Sequence, residues 1–218
     1  MVRRLLPRSL LIALDADGVL LDYNRQYGAV WARHFGQSPV CTDPRAYHAA
    51  RYWGVNAPAK GHPFWDRFDA EGWQDMPAMP GAIEACQGLA AAGHRLVCVT
   101  SMPPHRQAHR QANLEALGFP IEQVVATGPV EDKTANPKRA AIEALRPDWF
   151  VDDELRKLKD LFGVRCVLVD PDHSDSPNQG QPDSYLSMRV ADLAEFANRL
   201  LAGPQEGPWL RPESVATR

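Results

Sequence analysis

The stretch Leu10-Leu11-Ile12-Ala13-Leu14-Asp15-Ala16-Asp17-Gly18-Val19 decides the fold. Five apolar residues run without a break, which suits a strand buried on both faces of a parallel sheet. The run ends in two carboxylates at i and i+2, which at the end of a strand face the same side. Gly18 permits a sharp turn and a close approach of backbone. In an open parallel sheet, ligands bind beyond the carboxyl ends of the strands. Asp15 and Asp17 therefore stand where chemistry is expected. A surface turn after a strand gives the same local pattern, so the reading depends on what else the chain supplies.

The rest of the chain alternates between strand and helix signals. Pro80-Gly81 opens a helical stretch over Ala82–Ala92, stopped by Gly93. Leu96–Val99 is a second apolar run, ending in Thr100-Ser101. Pro103-Pro104 start a polar helix to about Leu117, and Val124–Ala126 is a third short strand. Pro137 opens a helix to Leu145 from a favoured first-turn position. Trp149–Val151 is a fourth strand, closed by Asp152-Asp153, and Cys166–Val169 a fifth. Ala191–Leu201 is a closing amphipathic helix. Such alternation predicts an α/β, Rossmann-like parallel sheet covered on both faces. Residues 23–79 break the rhythm. They hold eleven of the chain's eighteen aromatic residues and show no clear strand, so they read as a helical cap with its own small core, inserted after the first strand. The expected division is a core of residues 8–22 and 80–202, a cap of 23–79, and a polar, disordered tail of 203–218.

Length and charge narrow the classes. At 218 residues the chain is one domain with a modest insertion. A net charge of −3 argues against a nucleic-acid polymer or an anionic membrane as partner. No apolar run approaches the ~20 residues of a membrane span, and Pro7 and Arg8 break the signal-like start, so a signal peptide is not expected. Cys41, Cys86, Cys98 and Cys166 form no C-x-x-C pair. Cys98 and Cys166 read as buried thiols, and the chain fits a reducing cytoplasm.

Further groups join Asp15 and Asp17. Asp152-Asp153 is a second carboxylate pair directly after a strand, although a helix cap would use the same residues. Acids this close repel unless a cation relieves them, and Mg²⁺ does so well, being a hard ion that takes carboxylates, carbonyls and phosphate oxygens. Thr100 or Ser101 can hold a phosphoryl oxygen through a hydroxyl and the N–H groups that follow. Lys138 lies in a helix's first turn, against the macrodipole preference, and Lys133 competes with it. The ordered set of strand-DxDG, strand-Thr/Ser, Lys and strand-DD resembles the Mg²⁺-dependent phosphohydrolases of the haloacid dehalogenase superfamily, over about residues 10–200. Asp15–Val19 matches the first motif, Thr100 or Ser101 the second, Lys138 the third and Asp152-Asp153 the fourth. The short interval between Lys138 and Asp152 is the one departure. Val99-Thr100-Ser101-Met102-Pro103 is similar to deoxyribonucleotidase relatives.

The resemblance implies a phosphatase with Mg²⁺ as cofactor and a small phosphorylated metabolite as substrate. Asp15 would attack phosphorus. Asp15, the Asp17 carbonyl and Asp152 or Asp153 would hold the metal. Asp17 would serve as acid and base, and Thr100, Ser101 and Lys138 would bind the phosphoryl group. The cap's aromatic content favours nucleoside monophosphates, with sugar phosphates close behind. Tyr23, Tyr27, Trp31 and Phe35 form one helical stripe, read as packing or as a wall over a base. Arg25, Arg45, Arg51 and Arg67 read as solvated, His105 and His109 as an exposed polar face, and Asp170–Asp175 as a polar loop that lacks the glycine and glutamate of a Ca²⁺ site. A receiver-type phosphoacceptor would place its lysine last in the chain. A dehalogenase would need neither Asp17 nor Asp152-Asp153. A phosphomutase would use the same groups, and a silent binding protein would have no use for all of them together.

Overall fold

The computed structural model describes residues 8–130 and 135–203. Lys133 and residues 204–218 of the expected tail lie outside the described residues. Six strands form one parallel sheet in the order β3-β2-β1-β4-β5-β6. They are β1 (Leu11–Leu14), β2 (Arg95–Thr100), β3 (Val124–Ala126), β4 (Trp149–Asp152), β5 (Arg165–Val169) and β6 (Leu186–Val190). The expected five are all present. The sixth escaped the sequence reading because Leu186-Ser187-Met188-Arg189-Val190 is an exposed-edge alternation, not an apolar run.

The period-2 geometry of strands divides the apolar residues between two cores. Ile12, Leu14, Leu96, Cys98, Trp149, Val151, Val167 and Val169 face one side, where α4 (Ala82–Ala91), α5 (Gln107–Ala116) and α8 (Leu193–Leu201) cover them. Ala13, Val97, Val99, Phe150, Cys166 and Leu168 face the other, with Ile142 of α6 (Arg139–Leu145) and Leu155 and Leu158 of α7 (Leu155–Leu158). Burial on both faces is why these strands read as unbroken apolar runs.

Between β1 and α4 the chain forms α1 (Tyr23–Phe35), α2 (Ala49–Tyr52) and α3 (Pro63–Glu71), and no strand. Asp22 caps α1 by accepting from the Arg25 N–H at 2.9 Å. The aromatic stripe of α1 packs into α3. Tyr27 lies 5.1 Å from Phe64 between ring centroids, and Tyr23 lies 5.3 Å from Phe68. The rings are thus spent mostly on this insertion's own core, which favours packing over a wall. Gly28 makes room for Trp53, whose ring would sit 2.5 Å from a Cβ at that position.

The insertion is tied to the sheet at three places. Its two connecting segments meet below it, with Asp22 N–H donating to Pro77 O at 2.8 Å and Met79 N–H to Leu20 O at 2.9 Å. On α3, Asp69 accepts from the Arg106 guanidinium at 2.7 Å. On the opposite side, the acidic loop after β5 grips residues 43–48. Ser174 Oγ donates to Asp43 at 2.6 Å, Ser174 N–H to Arg45 O at 3.0 Å, and Asp175 Oδ1 accepts from the Tyr47 N–H at 2.5 Å. The loop read as merely polar is therefore a clasp.

Candidate active site

The sheet's register assembles the site. Leu14 pairs with Val151, so Asp15 and Asp152 leave adjacent strands side by side, and Asp15 N–H donates to Val151 O at 2.9 Å. Lys138, completely buried before α6, lies between them. Its Nζ is 2.5 Å from Asp15 Oδ1 and 2.6 Å from Asp152 Oδ2. Asp15 Oδ1 also accepts from the Ala16 N–H at 2.7 Å. Burial alone would raise the Asp15 carboxyl, but the charges of Lys138 and Lys157 and these hydrogen bonds hold it below its ordinary value.

Asp153 differs from its neighbour. Asp152 is engaged at both oxygens, by Lys138 and by the Glu154 N–H at 3.0 Å. Asp153 is buried, yet its Oδ1 has no hydrogen-bond partner in the protein. Burial and the negative charges of Asp152 and Asp15, only partly offset by Lys157, push it well above the usual carboxylate range. Asp15, Asp152 and Asp153 each offer an oxygen within 4.8 Å of the others. A hard divalent cation fits this set, because it satisfies the orphaned oxygen and relieves the repulsion. Gly18 keeps the space clear. Its φ is +86°, and a Cβ there would lie 2.2 Å from Asp153 Oδ2.

Asp17 points to a group that the sequence reading missed. Its Oδ1 is 2.7 Å from Nη2 of Arg110, a completely buried guanidinium on α5. Arg110 also lies 5.4 Å over the Trp73 ring. Burial raises the Asp17 carboxyl, with Arg110 opposing and Asp15 adding to the shift. Thr100 is buried at the carboxyl end of β2, beside β1, and the next residue, Ser101, has a buried hydroxyl without a protein partner. Nothing in a single polar helix position marked Arg110 in advance.

Two more groups were missed. Lys157, on α7, lies 3.8 Å from Asp15 Oδ2 and 3.2 Å from Glu154. Sequence reading gave no sign of it, because α7 is a single turn that starts only after Asp153 and Glu154. Tyr47, brought by the clasp, is raised well above its ordinary value by burial and by the nearby charges of Asp153, Glu154 and Asp152. Other residues are used elsewhere. Arg45, Arg51 and Arg67 pair with Asp172, Asp43 and Glu71. His105 sits in a 3₁₀ turn against Asp69 rather than on one helix with His109.

No family model matches the chain, and no curated protein matches it. Solved structures do. A haloacid dehalogenase-like hydrolase from Streptococcus pneumoniae is 13% identical, with a TM-score of 0.58 over 88% of this chain and 98% of that one. L-2-haloacid dehalogenase from Xanthobacter autotrophicus is 14% identical, with a TM-score of 0.58 over 89% and 99%. Another dehalogenase is 19% identical, with a TM-score of 0.54 over 92% and 100%. The chain therefore has the haloacid dehalogenase-like fold. At these identities the likeness is one of fold.

Proposed function

We propose that the chain is a phosphatase that hydrolyses a small phosphomonoester through an aspartyl-phosphate on Asp15. The observation that supports this most is the buried, partnerless Asp153 oxygen beside an Asp15 held ionised by lysine. Attack on phosphorus needs an ionised nucleophile and positive charge around the equatorial oxygens. Asp15, Asp153 and the Asp17 carbonyl would hold Mg²⁺, which supplies charge neutralisation at the phosphoryl oxygens.

The protein's own groups divide the remaining work. An Asp15 carboxylate oxygen attacks phosphorus in line, forming the acyl phosphate as the bond from phosphorus to the substrate's ester oxygen breaks. Asp17, raised by burial, carries the proton that the leaving alkoxide needs, then takes one from the hydrolytic water. Lys138 would keep Asp15 oriented, and the Ser101 and Thr100 hydroxyls would donate to the phosphoryl oxygens. The insertion, as a cap, covers the site and keeps bulk water out. A dehalogenase reading, which the fold also accommodates, leaves Asp153 without a partner and Asp17 without a task.

The substrate class is narrowed by what faces the acids. Most rings of α1 pack against α3, while Tyr47 lies within charge range of Asp153, Glu154 and Asp152, and Tyr23 within charge range of Asp17. We infer a compact phosphomonoester, a nucleoside monophosphate or a sugar phosphate. The test is p-nitrophenyl phosphate turnover in Mg²⁺ against chelator, followed by a panel of phosphorylated metabolites. Turnover that is lost with chelator is expected. No turnover in either condition, with release of halide from a 2-haloacid, would replace the phosphatase with the dehalogenase reading.

A further inference from the structure

Two lysines converge on Asp15, and they differ in what they have left to give. Lys138 is completely buried and bonded closely to both Asp15 and Asp152. Lys157 keeps 14% of its side chain exposed and has one close partner, Glu154 at 3.2 Å, while Asp15 Oδ2 stays at 3.8 Å. An ammonium group offers three donors, so Lys157, with one close partner against the two of Lys138, retains more capacity. It also faces the carboxylate oxygen that Lys138 and Ala16 leave unbonded.

The placement of Lys157 is built. A four-residue helix has no stability of its own. Here α7 is held by the buried Leu155 and Leu158, by Leu155 N–H donating to Asn178 Oδ1 at 2.8 Å, and by the Tyr185 hydroxyl donating to Leu155 O at 2.9 Å. Asn136 then joins the two lysines. Its Oδ1 accepts from the Lys138 N–H at 2.9 Å, and its Nδ2 donates to Lys157 O at 2.6 Å. One side chain thus ties together the backbone at the two lysines.

We propose that Lys157 is a second phosphoryl-binding residue, a catalytic cation that meets the substrate's phosphoryl oxygens on the open side of Asp15, with Asn136 as its positioning residue. This rests on the phosphatase reading and adds to it. Lys138 holds the nucleophile, and Lys157 holds what the nucleophile attacks. A lysine serving only to offset the acid cluster would change stability without changing affinity for phosphate.

The test is inorganic phosphate binding by calorimetry with Mg²⁺ present, alongside p-nitrophenyl phosphate kinetics, for wild type, Lys157→Met and Lys157→Arg. Lys157→Met should weaken phosphate binding about tenfold or more and lower kcat/KM about 100-fold, while Lys157→Arg recovers most of both. Asn136→Ala should show the same direction with a smaller loss. If Lys157→Met does not fold, Lys157→Gln carries the measurement. Wild type that binds and hydrolyses while a folded Lys157 variant keeps phosphate affinity within about twofold overturns the role of Lys157 and leaves the phosphatase. Wild type that neither binds phosphate nor hydrolyses overturns both.

Discussion

Asp15 and Asp17 lie two residues apart, yet their surroundings drive them in opposite directions. Lysines hold Asp15 ionised, and burial keeps a proton on Asp17 to higher pH. A pair split in this way suits a nucleophile and an acid. Turnover of an alkyl phosphate should therefore fall as pH rises through the Asp17 value, where the acid is lost. It should fall again only in strong acid, below the ordinary Asp range, where Asp15 protonates. p-Nitrophenyl phosphate, whose leaving group needs no proton, should show a weaker alkaline loss. Asp17→Asn should cost about 10²–10⁴-fold on an alkyl phosphate and less on p-nitrophenyl phosphate. Equal losses on both would remove Asp17 from leaving-group chemistry. Gly18→Ala should cost about 1–3 kcal/mol through backbone strain alone, and more through its clash with Asp153; urea titration measures it. Both aspartates and the glycine were legible, because the Thr/Ser, Lys and strand-DD signals that follow in order lift D-x-D-G above a surface turn. Arg110 was not, because a long side chain reaching across from another helix leaves no periodic mark.

Helices and strands were legible where burial imposed a pattern. β1, β2, β4 and β5 are buried on both faces, and their apolar runs announce them. β6 lies at the sheet's edge, its residues alternate between half-buried and exposed up to the buried Val190, and it was missed. Helix α7 is a single turn, too short to show periodicity, yet it carries Lys157. Helices α1 and α3 owe their association to Phe64, which is fully buried with Tyr27, Trp31 and Trp65 around it. Phe64→Ala should destabilise the protein by about 3–5 kcal/mol, as deletion of a buried ring does. A thermal melt and limited proteolysis between residues 36 and 63 would record it. Unchanged protection there would mean that the rings do not hold the insertion together.

The molecule as a whole joins an α/β sheet to a helical insertion that is clasped from two sides. Asp69 meets Arg106 on one, and Asp175 and Ser174 grip residues 43–48 on the other. The clasp delivers Tyr47 to the acids, so Asp175→Ala should raise KM for a bulky phosphomonoester more than it lowers kcat. A fall in kcat alone would place the clasp outside substrate binding. This long-range docking was not legible, because its contacts join residues 128 and 131 positions apart in loops that carry no periodic pattern. The convergence of Asp15, Asp152 and Asp153 was legible because each stands at the end of a strand of one sheet, and a parallel sheet sends its carboxyl ends to one edge; Lys138 caps a helix away from any strand, and only the motif resemblance favoured it over Lys133. The reaction proposed for that edge requires a covalent phosphoryl group on Asp15. Mass spectrometry of enzyme quenched in acid during turnover of p-nitrophenyl phosphate should find one phosphoryl group on the peptide carrying Asp15, and none in Asp15→Asn. Sustained turnover with no adduct, or with the adduct on another residue, would contradict it.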